Sequence, residues 1–278
     1  MFRGMCDASA AYVSPAGELW VADDESQRPF VYPPGKGAAP LRRIDLGLGK
    51  SEADFEGVAA LGDTVWWIAG HGRNKDAEPR PSRQVLLATS HTGAVLGRTD
   101  RLLPALLAAP DIGPILTSAE PNAPKKGGIA IEGLAAGDGA LWLGFRSPLD
   151  AQGRALVVRL DAPDALRSGG QPALGPVEHL DLGGQGIRSL ERAGSTWWIV
   201  GGDPGSGGTS TLWRWAGPGT APAAVPVDLA GFNPEGLVVL ADGRLQLLSD
   251  DGTREVGGKE CKDAAEDQRS FRARTIAP

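Results

Sequence analysis

Five polar residues recur at one phase of this chain: Ser9, Glu56, Glu132, Ser189 and Glu235. Their settings read Asp7-Ala8-Ser9, Asp54-Phe55-Glu56-Gly57, Ile131-Glu132-Gly133, Gly186-Ile187-Arg188-Ser189 and Pro234-Glu235-Gly236. If the five side chains meet, three carboxylates and two hydroxyls share a narrow space. Carboxylates so close raise one another's pKa values unless a cation stands among them. Oxygen donors of this kind suit Ca²⁺, which accepts many ligands in irregular geometry; the strict octahedron of Mg²⁺ suits them less. Zinc and copper favour His and Cys. Without a metal, the glutamates would bond backbone amides at strand starts or line a polar channel.

A second set lies where the following apolar run of each unit ends. It comprises Asp23-Asp24, His71 with Arg73, Arg146, Asp203 and Asp250-Asp251, and Arg188 stands beside Ser189. Over a divalent ion these residues make a phosphoryl-transfer constellation. The metal would polarise a phosphate and acidify bound water. Arg146 and Arg188 would clamp phosphate oxygens. Asp24 would orient or deprotonate the water, with His71 and Asp250 completing the catalytic set. The plainer readings are that the aspartates cap turns, that His71 is structural, and that Arg146 and Arg188 pair with the glutamates and neutralise them. Lys125-Lys126 either attracts an anionic substrate or is a solvated pair.

The elements that must position these residues follow from the repeat. Each polar anchor sits in a short apolar run that reaches a turn, such as Gly62-Asp63 or Asp242-Gly243, and a second run, such as Val65-Trp66-Trp67-Ile68 or Leu141-Trp142-Leu143. Strand, tight turn, strand is a β-hairpin. One or two further β-like runs follow each hairpin. Four strands per radially repeated unit make a propeller blade. The anchors lie 47, 76, 57 and 46 residues apart, against about 40–50 residues for a four-stranded blade.

The expected fold is therefore an all-β, five-bladed propeller over residues 1–278, built of four-stranded antiparallel blades. Inner strands start near 8, 55, 130, 186 and 233. The long gap holds an insertion at about 100–128, in which 101–109 reads as a short helix. A sixth, degenerate blade there is the alternative, but the segment lacks a strand-turn-strand unit with Trp. Trp20, Trp67, Trp142 and Trp198 are expected to pack between blades.

Composition agrees. The 40 Gly and 22 Pro among 278 residues suit many tight turns. The net charge of −6 argues against nucleic acid. No apolar run is long enough for a membrane helix. Residues 1–6 lack a signal peptide's apolar core, which leaves periplasm, exterior and cytoplasm all open. Ring closure would bring Cys6 and Cys261 together as a disulfide or as two free thiols. A monomer with a small anionic ligand is the expected state.

The ordered set of Ser, Glu, Glu, Ser and Glu resembles that of the calcium-activated nucleotidases, the soluble apyrases. The strings Asp7-Ala8-Ser9 with Asp23-Asp24, and Glu132-Gly133 with Phe145-Arg146, are similar to theirs. That resemblance implies a central calcium held by the five residues and a calcium-dependent phosphohydrolase. The apyrase first blade continues Asp-Asp-Arg-Thr-Gly, whereas this chain has Asp23-Asp24-Glu25-Ser26, so the nucleotide contacts do not carry over. The chain also resembles, over nearly its whole length, a bacterial family of uncharacterised propellers. The motifs are Ile131-Glu132-Gly133-Leu134-Ala135, Gly144-Phe145-Arg146 before Pro148, Gly186-Ile187-Arg188 and Ser249-Asp250-Asp251-Gly252. That likeness implies a fold and no activity. The other functional class is a non-catalytic ligand- or protein-binding propeller with calcium as a structural pin. A lactonase-like site ranks last, because such sites use Asn and the chain has only Asn74, Asn122 and Asn233.

Overall fold

A computed structural model describes residues 1–23, 26–35, 37–49 and 53–277. Strand β1 (Phe2–Arg3) precedes the first blade, which runs β2 (Ala8–Val13), β3 (Leu19–Asp23), β4 (Ser26–Tyr32) and β5 (Arg42–Arg43). The second blade is β6 (Phe55–Leu61), β7 (Thr64–Ala69), β8 (Leu86–Ser90) and β9 (Val95–Thr99). Helices α1 (Leu102–Ala108) and α2 (Gly113–Ala119) follow. The third blade is β10 (Ala130–Gly137), β11 (Ala140–Ser147), β12 (Ala155–Asp161) and β13 (Ala173–Leu180), with the short helix α3 (Asp164–Arg167) between its outer strands. The fourth is β14 (Gly186–Ala193), β15 (Thr196–Gly202), β16 (Thr211–Trp215) and β17 (Ala223–Val225).

The fifth blade departs from the expectation of four strands. Among the described residues it has three: β18 (Pro234–Val239), β19 (Leu245–Ser249) and, after the small hairpin of β20 (Glu255–Val256) and β21 (Lys259–Glu260), the C-terminal β23 (Ala273–Ile276). The chain spends the intervening residues on closing the ring. Strand β22 (Ser270–Phe271) pairs antiparallel with β1. Asp7 bridges Asp250. Cys6 and Cys261 form a disulfide, which resolves the choice left open by the sequence. Phe2 stacks on Phe271 with centroids 5.1 Å apart, and the edge of Tyr32 meets both rings.

The blades cohere through apolar side chains that alternate along their strands. Trp20 stacks on Trp67 across the first and second blades, with centroids 6.3 Å apart. Trp142, Trp197 and Trp215 cluster between the third and fourth. Trp198 faces the other way, toward the fifth. The insertion is a helix pair rather than a single helix, and its Leu102, Leu103, Leu106 and Leu116 join the core between the second and third blades. Among the described residues no single helix is long and apolar enough to cross a membrane.

Each inner strand carries an irregularity at the same phase. The register skips one inner-strand residue in each hairpin: Ser9 between Ala8 and Ala10, Glu56 between Phe55 and Gly57, Glu132 between Ile131 and Gly133, Arg188 between Ile187 and Ser189, and Glu235 between Pro234 and Gly236. A bulge leaves its extra residue outside the ladder and redirects the side chain. Glycine follows the bulge in three blades because neighbouring inner strands pack there. A Cβ at Gly133 would stand 2.9 Å from Ile187 Cγ2 and 3.0 Å from Leu190 Cβ on the next blade.

Candidate functional site

Four of the five bulged residues line one cleft of about 1590 Å³. Glu56, Glu132, Arg188 and Glu235 line it, together with Arg146 from the end of β11. The fourth member of the ring is therefore Arg188, not Ser189. Ser189 is buried one step further along, paired with Val200 in the position that Gly57, Gly133 and Gly236 hold in other blades. Ser9 is buried and its Oγ donates to the carbonyl of Phe55, 2.6 Å away on the second blade.

The floor is an ion-pair network. Arg146 Nη1 donates to Glu132 Oε1 at 2.8 Å. Its Nε donates to Asp203 O at 3.2 Å, and its Nη2 donates to Gly205 O. Burial works against the charge of Arg146, but Glu132, then Glu56 and Asp203, outweigh it and raise the pKa. Arg188 reaches two blades at once. Its Nη2 pairs with Glu235 Oε1, and its Nε lies 3.2 Å from Glu132 Oε2. That last contact is one of charge without alignment, since neither atom makes a hydrogen bond. Asn233 Nδ2 donates to both Glu235 Oε1 (3.2 Å) and Asp250 Oδ2 (3.1 Å).

A central divalent ion would need the carboxylate oxygens that these guanidinium groups hold. The described residues contain no group of three or more His, Cys, Asp or Glu placed to bind a metal. As arranged, the floor does not fit a calcium ion.

The remaining catalytic candidates separate. Arg146, Arg188 and Asp250 line the cleft. Asp24 lies outside the described residues. His71 is 1 % exposed and does not line the cleft. Its Nδ1 bonds Ala69 O at 2.6 Å, its Nε2 has no partner, and burial holds its pKa down at about 4. A neutral ring in that seat is structural. Asp23 and Asp203 likewise do not line the cleft, although the backbone of Asp203 anchors Arg146. Asp251 is held by Arg272 at 2.6 Å and Ser249 at 2.8 Å. Burial alone would raise its pKa, but the Arg272 and Ser249 hydrogen bonds outweigh that and lower it.

The walls carry residues that sequence patterns did not mark: Lys75, Arg254 and Arg272. Their signal is topological, since each lies in a loop or strand end that only ring closure brings to this face. Arg73 ties the wall to the helical insertion, donating through Nε to Glu120 O at 2.7 Å and through Nη2 to Glu120 Oε1 at 2.6 Å. Lys125 and Lys126 are exposed on the rim. Among the described residues, ten Lys and Arg line the cleft against eight Asp and Glu, in a chain whose net charge is −6.

The protein family described as Protein of unknown function (DUF3616) matches residues 74–230. No curated protein matches the chain. Among solved structures, the chain is similar to virginiamycin B lyase from Staphylococcus aureus, at 13 % identity and TM-score 0.43, covering 87 % of this chain and 62 % of the lyase. It is similar to a gluconolactonase from Xanthomonas campestris, at 15 % identity and TM-score 0.44, covering 90 % of this chain and 73 % of that one. A GH43B protein from Bacteroides ovatus aligns at 14 % identity and TM-score 0.49, covering 89 % of this chain and 48 % of that one. The chain thus spans under two thirds of the lyase's length.

Proposed function

The chain belongs to the DUF3616 family, and we propose that its axial cleft binds a small anionic ligand carrying a phosphate or carboxylate group. The observation that carries this reading is the excess of cationic over acidic lining in a chain of net negative charge. The lining is mixed in sign with a small cationic excess, and the exposed lysines at its edge attract an oppositely charged ligand. The guanidinium groups of Arg146 and Arg188 are engaged by the floor glutamates. The ligand's charge is therefore met by the rim, chiefly Lys75, Lys125 and Lys126, while the floor presents a rigid polar base. A thermal-shift series of the full chain with phosphate esters and carboxylates tests the reading. Stabilisation by at least one anionic class, weakening as salt is raised, supports it. A series in which no anion moves the midpoint contradicts it.

A second reading is calcium-dependent phosphoester hydrolysis. Its support is the convergence of the three bulged glutamates at the axis. It requires Arg188 to release Glu132 and Glu235. Phosphate released from nucleotides or sugar phosphates in the presence of calcium, and lost in Glu132→Gln, is its expected signature.

A further inference from the structure

We infer that the open edge of the fifth blade, strand β23, is a docking site for an extended acidic segment of another protein, which adds to it as the blade's fourth strand. Strand order carries the first part. The first four blades end in a fourth strand, β5, β9, β13 or β17, whereas the sheet of the fifth ends at β23. Strand β23 thus stands where β4, β8, β12 and β16 stand in their blades, with β19 along one edge and no strand along the other. Its burial agrees. All four of its residues are half-buried, while each of β4, β8, β12 and β16 carries fully buried residues. Among the described residues, the backbone of 273–276 makes no hydrogen bond beyond its pairing with β19. A free row of N–H and C=O groups is a template for a further strand.

Side chains carry the second part. Residues paired across antiparallel strands share a sheet face, so Arg274 and Ile276 lie with Leu247 and Leu245 on the face toward the fourth blade. Arg214 is paired with Trp198, which belongs to the same apolar cluster, so it lies on the facing side of the fourth blade. Val225, Val239 and Ile276 pack against that cluster and are only partly buried, an apolar margin that a fourth strand would cover. Among the described residues neither arginine forms an ion pair. Arg274 donates through Nη1 to Asp228 O and lies over the Phe232 ring, 5.1 Å from its centroid, and Arg214 makes no hydrogen bond. An added strand therefore meets two guanidinium groups without carboxylate partners beside an apolar margin, which fits a strand presenting acidic and apolar side chains on one face. A second copy of this chain fits worse, since it would bring a second Arg274 to the same edge. The inference does not depend on the anionic ligand proposed for the cleft.

The test is fluorescence-anisotropy titration of the full chain against three labelled peptides: Val-Thr-Glu-Thr-Glu-Thr-Val, its counterpart with Lys for both Glu, and a Glu peptide with Pro as its central residue. Wild type should bind the first saturably. It should bind neither the Lys peptide nor the Pro peptide, which keeps the charge but cannot pair as a strand. Arg214→Glu/Arg274→Glu should bind the Glu peptide about tenfold more weakly, the effect of turning two cross-strand attractions into repulsions. Should that variant fail to fold, the three peptides on wild type decide the matter. A wild type that binds none of them overturns the inference. So does equal binding of the Glu and Pro peptides, which is attraction without a strand. Self-association of the wild type that Arg274→Glu removes would place a second copy on this edge and overturns it as well.

Discussion

Arg146 donates to Glu132 Oε1 at 2.8 Å, with the two side chains only 9 % and 5 % exposed. Glu132 also faces Arg188, so a single carboxylate serves guanidinium groups from two neighbouring blades. Ion pairs removed from water are costly to break singly, because the partner's charge stays behind.

Glu132→Gln should therefore destabilise the protein by about 3–5 kcal/mol, since it removes the carboxylate bonded to Arg146 and leaves Arg188 with Glu235 alone. Urea unfolding at neutral pH measures it. The exposed pair of Asp242 and Arg244 is the control, and Asp242→Asn should leave the unfolding midpoint in place.

His71 predicts a pH dependence. Burial lowers its pKa from 6.5 to about 4, so the folded state refuses a proton that the unfolded state accepts. The resulting stability is present in full above pH 6.5 and is lost as pH falls toward 4. The depression corresponds to about 3 kcal/mol across that window. Unfolding curves at neutral pH and near pH 4.5 should show His71→Asn losing less stability on acidification than wild type. Equal losses would refute this account of the residue.

The Cys6–Cys261 disulfide joins residues 255 positions apart at the seam of the ring. A cross-link over so long a loop restricts the unfolded chain strongly, and its removal should cost about 2–5 kcal/mol. A reducing agent should lower the melting temperature of wild type and leave a Cys6→Ser/Cys261→Ser variant unmoved.

Gly133 sits where the third and fourth inner strands touch. Gly133→Ala places a methyl group within 2.9 Å of Ile187 Cγ2 and 3.1 Å of Gly144 Cα. The backbone contact cannot yield as a side chain can, so overpacking should cost about 1–3 kcal/mol in urea unfolding.

The blade hairpins were legible because their apolar runs, turns and Trp residues recur at steady spacing, and β2, β6, β10, β14 and β18 begin within a residue or so of where that spacing puts them. The insertion showed as a long gap, but its second helix did not, since Gly113 and Pro114 open it without a capping residue. The ring failed at one blade for a physical reason. In the second, third and fifth blades a glycine follows the bulged glutamate and marks it. In the fourth, Ser189 takes the glycine's place, and a serine reads as a ligand when its neighbour is an arginine. Only the hydrogen-bond register shows that Arg188 is the residue left out of the ladder. The closure by β1 and β22 and the three-stranded last blade were also hidden, because two-residue strands carry no periodicity.

The claim that the cleft is an anion site is tested most directly by calorimetric titration of pyrophosphate into wild type and into Lys125→Ala/Lys126→Ala. Both lysines are exposed, so the double variant should fold normally. The account predicts saturable binding to wild type that weakens about tenfold in the variant, a difference of about 1.4 kcal/mol. Binding that is absent from wild type, or identical in the two proteins, would contradict it.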